Sequence, residues 1–224
     1  MTESTSPGEA ERSPGRLIYR GAEADIVRGE WQGLDAVFKI RKPLSYRLKV
    51  MDDAIRRQRT IHEADMVHAA KAAGVASPFL FDVDVPGATL VMEYIDGQRV
   101  KDLVGSAPGA AVRAVFGEFG RSVARLHIAG IMHGDLTTAN VVMRGGELVF
   151  IDFGLSLRTS RLEDHAVDLR LIKETLVGAH SQIAPRALDA LFRGYAKEVG
   201  PARSRAVLRQ LQNIERRGRY ARVA

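Results

Sequence analysis

A chain of 224 residues, 46% hydrophobic and 27% charged, can bury the core of one large domain or two small lobes and has the make-up of a soluble globular protein. It has no cysteine, no apolar run of membrane-spanning length and no basic-then-apolar leader, which excludes disulfides, thiol nucleophiles and cysteine-held metal sites and leads us to expect a cytoplasmic location. The net charge of +6 is clustered: residues 201–224 carry seven arginines against Glu215 alone, and residues 39–59 carry eight basic side chains against Asp52 and Asp53. Clusters of this kind suit nucleic acid or an acidic protein partner.

Residues 1–15, rich in Ser, Thr, Pro, Gly and Glu, read as a disordered leader. Leu17–Arg20, Asp25–Trp31 and Leu34–Ile40 read as strands joined by turns at Gly21-Ala22-Glu23-Ala24 and Gly33, an antiparallel meander with Lys39 on its third strand. A helix is expected over Met51–Ala73, closed by Gly74. Glu63 lies on it, placed either to face the sheet and pair with Lys39 or to form local pairs with Arg56 or Arg59. Phe79–Asp84 and Thr89–Ile95 complete five strands, and Asp96-Gly97 breaks the last. A chain passing from a small lobe to a larger one would hinge there, with backbone groups of Glu93 to Ile95 able to meet an adenine edge; an ordinary strand end is the alternative.

Beyond Gly97 the pattern turns helical, with Val112, Val115, Phe116, Phe119, Val123 and Leu126 forming a core-facing stripe. His127, at its end, reads as an ordinary, partly buried histidine, and His133 as a residue that orients loop backbone. His133-Gly134-Asp135-Leu136-Thr137-Thr138-Ala139-Asn140 is followed by a strand, a Gly145-Gly146 turn, a second strand and Asp152-Phe153-Gly154. Such a hairpin brings Asp135, Asn140 and Asp152 to one end of a sheet. One carboxylate can then orient a hydroxyl or water, while an amide and a carboxylate hold Mg²⁺ on a nucleotide's phosphates. A short link, Leu155 to Glu163, leads to Asp168 and further helices.

With Lys39, Glu63, His133-Gly-Asp135-Leu-x-x-x-Asn140 and Asp152-Phe-Gly154 in this order, the chain resembles the protein-kinase-like superfamily over about residues 16–200. Gly21-Ala-Glu-Ala24, Arg59-Thr-x-x-Glu63-Ala64, His133-Gly-Asp-Leu-Thr-Thr-x-Asn140, Glu163-Asp-x-Ala-Val-Asp-Leu169 and Arg216-Arg-Gly-Arg219 narrow the resemblance to the KEOPS-complex kinase family, small atypical serine/threonine kinases and ATPases of tRNA threonylcarbamoyladenosine formation. The resemblance implies an α+β, two-lobed fold: a five-stranded N-lobe over 16–95, a compact helical C-lobe over 96–200 and a basic tail over 201–224. It implies ATP and Mg²⁺ as cofactors, with Lys39, Asp135 and Asn140 catalytic. Gly21, Ala22, Glu23, Ala24, Lys39, Glu63, Glu93 and Ile95 would bind the nucleotide, and Asn140 and Asp152 the metal. Asp168 would brace the loop. The implied partners are the threonylcarbamoyl-transferase and other KEOPS subunits, and tRNA through the complex and the tail.

Three departures from ordinary protein kinases stand out. Gly134 replaces their arginine, only residues 153–167 separate Asp152 from Asp168, and the first turn has one glycine in place of three. These argue against activation-loop control and free peptide substrates, and for water, the chain itself or a docked protein as acceptor. A small-molecule phosphotransferase of the aminoglycoside or choline type, and an ATP-binding scaffold without turnover, are the competing readings.

Overall fold

Ala24–Trp31 (β2) and Leu34–Arg41 (β3) are joined into a hairpin by a turn at Gln32 and Gly33, both at positive φ. The computed structural model describes residues 12–105 and 107–220. Arg12–Arg20 (β1), Leu80–Asp84 (β4) and Thr89–Glu93 (β5) complete a five-stranded antiparallel sheet in the order β1-β2-β3-β5-β4. Ala36, Phe38 and Val91 are buried at its centre, with Val27, Trp31, Ile40 and Phe81 packed against them.

Two strand limits differ from expectation by more than one residue. β1 begins at Arg12, so Arg12, Ser13 and Pro14, read as leader, pair with β2 from Arg12↔Trp31 onward. Pro14 is compatible because β1 is an edge strand, where a missing N–H costs no ladder bond, and the register slips between Pro14 and Arg16. The rest of the leader, residues 1–11, lies outside the described residues. β5 ends at Glu93, short of Ile95, where its ladder to β3 stops at the Ala36–Glu93 pair.

Lys49–Ala72 (α1) ends where Gly74, at φ +74°, lets the Val75 N–H reach back to the Ala70 carbonyl at 3.0 Å. The described residues up to Val67, with Pro78–Ile95, form one compact unit; His68–Ser77 and the described residues from Asp96 onward form the other. The end of α1 therefore belongs with the second unit, where the Phe150 N–H donates to the Ala76 carbonyl at 2.8 Å.

The second unit contains Gln98–Arg99 (β6), Val100–Leu103 (α2), Gly109–Ile128 (α3), Ile131–Met132 (β7), Val141–Arg144 (β8), Glu147–Phe150 (β9), Leu157–Arg158 (β10), Leu162–Ala179 (α4), Ala184–Val199 (α5) and Pro201–Tyr220 (α6). The expected stripe of α3 is buried at Val112, Phe116, Phe119, Val123 and Leu126. α3 and α5 meet backbone to backbone: a Cβ on Gly120 would lie 2.0 Å from the Leu191 carbonyl oxygen, and one on Gly194 would lie 2.1 Å from that of Gly117.

The basic segment read as a tail is, through Tyr220, a packed helix. Ser204, Val207 and Leu211, spaced three and four apart, are buried, and Glu215 pairs with Lys173 of α4 at 2.6 Å. Arg222 lies outside the described residues.

Candidate active site

Strand alternation puts Lys39 and Arg41 on one face of β3, and α1 brings Glu63 to them. Lys39 Nζ lies 2.7 Å from Glu63 Oε1, and Arg41 Nη2 lies 2.5 Å from Oε2. Glu63 is 1% exposed, so this is a buried carboxylate compensated by two cations. The local alternative does not occur: Arg59 pairs with Glu23, and Arg56 with Asp52 at 2.8 Å and with Asp53. Arg41 was not singled out from sequence; its position two residues after Lys39 was the available signal.

In the first turn, the Gly21 N–H donates to the Ala24 carbonyl at 2.9 Å and the Lys42 N–H to the Glu23 carbonyl at 2.8 Å. Lys42 Nζ donates to the Gly21 carbonyl at 2.6 Å, and the Glu23 carboxylate is gripped by Arg59 and, at 3.5 Å, by Arg47. Ion pairs to α1 and to the segment after β3 thus fix a turn that carries one glycine. Much of the basic stretch 39–59 is spent this way, on Glu23, Asp25, Asp52, Asp53 and Glu63, and does not form the open cationic surface that its composition suggested. At the end of β5, the Glu93 N–H donates to the Phe79 carbonyl at 2.8 Å and the Tyr94 N–H to that of Asp35 at 3.2 Å. These two N–H groups are committed, so an adenine edge would have to be met by other backbone groups of this segment.

In the second unit, β8 and β9 pair from Val141↔Phe150 to Arg144↔Glu147, closed by Gly145 and Gly146 at φ +56° and +92°. The Ile151 N–H continues the ladder to the Asn140 carbonyl at 2.9 Å, so Asn140 and Asp152 leave the same end of the hairpin. Asn140 Nδ2 donates to the backbone carbonyl of Asp135 at 2.9 Å and to its carboxylate at 2.8 Å. Both amide hydrogens are thereby used, which leaves the amide oxygen to offer to a cation. Asp152 sits at φ +61°, a backbone position that costs a non-glycine residue about 1–3 kcal/mol and is typical of sites where geometry is imposed. An amide oxygen and a carboxylate, both hard donors, fit Mg²⁺, which keeps its other positions for water and phosphate.

Asp168 of α4 holds the loop from beneath. Its Oδ2 accepts the His133 N–H at 2.7 Å and its Oδ1 the Gly134 N–H at 2.9 Å. Burial opposes its ionisation, yet the hydrogen bond from His127 and that from the His133 backbone N–H hold its carboxyl below the ordinary range. His127 is not the ordinary histidine expected: it is fully buried, with Nε2 3.2 Å from Asp168 Oδ2 and Nδ1 2.9 Å from the Tyr195 hydroxyl. Burial lowers the His133 pKa against the pull of Asp168, Asp152 and Asp135, so the ring is neutral at pH 7. Its Nδ1 accepts the Asp135 N–H at 3.4 Å, as befits an orienting residue, and its ring packs on Phe153 at 4.7 Å.

Gly134 has φ +81°, and a Cβ there would lie 2.2 Å from the Leu155 carbonyl oxygen. The backbone leaves no room for the arginine of ordinary kinases. The link to Asp168 is taken up by structure: Leu157 and Arg158 pair with Met132 and Ile131, and α4 begins at Leu162.

A strand lysine paired with a helix glutamate, and an Asp–Asn–Asp set on a loop and hairpin, define a protein-kinase-like domain. The protein kinase domain model matches residues 41–200. The Rio2 kinase of Chaetomium thermophilum, solved as an ADP/Mg²⁺–phosphoaspartate complex, shares the fold at a TM-score of 0.62 and 18% identity, over 94% of this chain and 72% of that one. The KEOPS complex subunit Bud32 of Pyrococcus abyssi is 38% identical over 211 residues, 92% of this chain and 96% of that protein. The chain belongs to the Bud32 family of protein kinases. A probable bifunctional tRNA threonylcarbamoyladenosine biosynthesis protein of Methanobrevibacter smithii is 37% identical over 207 residues, and the match spans 37% of that relative's length.

Proposed function

We propose that this chain is the Mg-ATP-dependent serine/threonine kinase and ATPase subunit of a KEOPS complex, acting with its threonylcarbamoyl-transferase in tRNA modification in the cytoplasm. Family membership supports the assembly. The linked Asp135–Asn140 pair beside Asp152 carries the chemistry. Lys39, positioned by Glu63, holds the α- and β-phosphates. Asp135 orients the attacking hydroxyl or water, its carboxylate aimed by Asn140. Asn140 and Asp152 are the metal ligands, and bound Mg²⁺ would neutralise charge on the β- and γ-phosphate oxygens. The tight Gly134–Leu155 contact and the paired β10 support an acceptor that is water, the chain itself or a docked protein. In our reading the exposed Arg205, Arg209 and Arg216 of α6 face the transferase or tRNA.

The test is to follow labelled γ-phosphate with the chain alone, with the transferase and with the transferase plus tRNA. Partner-stimulated release is expected. Transfer to an added aminoglycoside or choline would establish the small-molecule reading instead, and ATP binding without turnover would establish a scaffold.

A further inference from the structure

The polar cluster beneath the loop extends beyond Asp168. The rings of His127 and His165 stack at 4.2 Å and 8°. His165 Nε2 faces the Thr159 carbonyl at 3.3 Å, so it carries the proton, and Nδ1 is left as an acceptor. That acceptor faces Arg203 Nη2 of α6 at 3.5 Å, and the same nitrogen donates to the His127 carbonyl at 2.8 Å. This carbonyl lies in the last turn of α3, where it also accepts the Gly130 N–H at 3.3 Å and where a cation is favoured. Only β7 separates that turn from His133. One guanidinium therefore fixes both the helix end that launches the loop and the histidine stacked on Asp168's partner.

We infer that Arg203 is a positioning residue for the Asp135 loop, acting through His127 and His165 on Asp168, so that the seating of the C-terminal helix sets the geometry of phosphoryl transfer. The chain of contacts is continuous: Arg203 to His127 and His165, His127 to Asp168, Asp168 to the His133 and Gly134 N–H groups. Tyr195 of α5 closes it on the far side of His127. The inference rests on the proposed phosphoryl-transfer role of that loop, but its structural half can be read without turnover.

The experiment compares Arg203→Met, Arg203→Lys and Val207→Ala in the full chain; Val207 is buried in α6 but takes no part in the relay. Amide hydrogen exchange at His133 and Gly134 is measured beside kcat and KM for Mg-ATP, with Asp152→Ala as the blank. Arg203→Met should speed exchange at those two amides and lower kcat about tenfold with KM nearly unchanged, Arg203→Lys should fall between, and Val207→Ala should lose thermal stability without either change. Arg203→Met behaving like Val207→Ala in both readouts overturns the inference. Wild-type turnover no higher than the blank overturns the phosphoryl-transfer reading alone, and amide exchange still decides whether Arg203 seats the loop.

Discussion

Glu63 bridges Lys39 and Arg41, both of them buried with it. Glu63→Gln removes the negative charge that compensates these two cations and is expected to cost about 3–5 kcal/mol, read from the urea midpoint at constant slope. Gly134→Ala is expected to lower the melting temperature by about 5 °C or more. The left-handed backbone alone costs an L-residue about 1–2 kcal/mol, the clash with Leu155 adds to that, and each kcal/mol shifts a chain of this size by about 2–4 °C. The pH dependence follows from His165, whose pKa burial, with the charges of His127 and Arg203, lowers from 6.5 to about 4. Between these values the unfolded chain binds more protons than the folded one, so stability falls as pH drops from 6.5 to 4. Burial lowers the pKa values of His133 and His180 in the same direction. Asp168 contributes stability that is complete above its unfolded value near 3.8 and is lost as pH falls through its lower folded one. Melting curves from about pH 7 to 4 should show the first fall, flattened in His165→Gln.

At the scale of elements, the hairpin carrying Asn140 and Asp152 was legible because its signal is local: two apolar runs and a Gly-Gly turn. The helix α6 was not, although Ser204, Val207 and Leu211 keep helical spacing, because six arginines dominate the composition of that stretch. The clamp on the Gly21–Ala24 turn was illegible for another reason: Glu23 meets Arg47 and Arg59 across 24 and 36 residues of sequence, which no local pattern encodes. Asp168 and His127 meet across 41 residues, so a histidine on a helix face looked ordinary. The exposed face of α6 yields a prediction of its own. Arg205→Glu with Arg209→Glu should weaken binding to the transferase–tRNA assembly and lower its salt slope by about 0.7–0.9 for each phosphate no longer neutralised, while shifting stability by roughly 0.5 kcal/mol or less per site. Titrations at several salt concentrations check this.

Over the whole molecule, charge is used in two ways. The basic stretch after Lys39 is turned inward onto acids of its own unit, whereas α6 keeps Arg205, Arg209 and Arg216 at the surface. Counting residues could not separate these uses; the pairing could. Lys39, Glu63, Asp135, Asn140 and Asp152 announced the class because the protein-kinase site combines those side-chain types in that order, and the packing of Gly134 and β10 shows why this loop departs from ordinary kinases. Phosphate release from ATP reads Mg-ATP chemistry at the Asp135–Asn140–Asp152 set without any partner or added acceptor. Wild type and Asp152→Ala would be compared with Mg²⁺ and with chelator, after matched melting curves establish that both are folded. Mg²⁺-dependent release by wild type and none above background by Asp152→Ala is expected; equal release by the two proteins, or release that persists in chelator, would rule out that chemistry at this set.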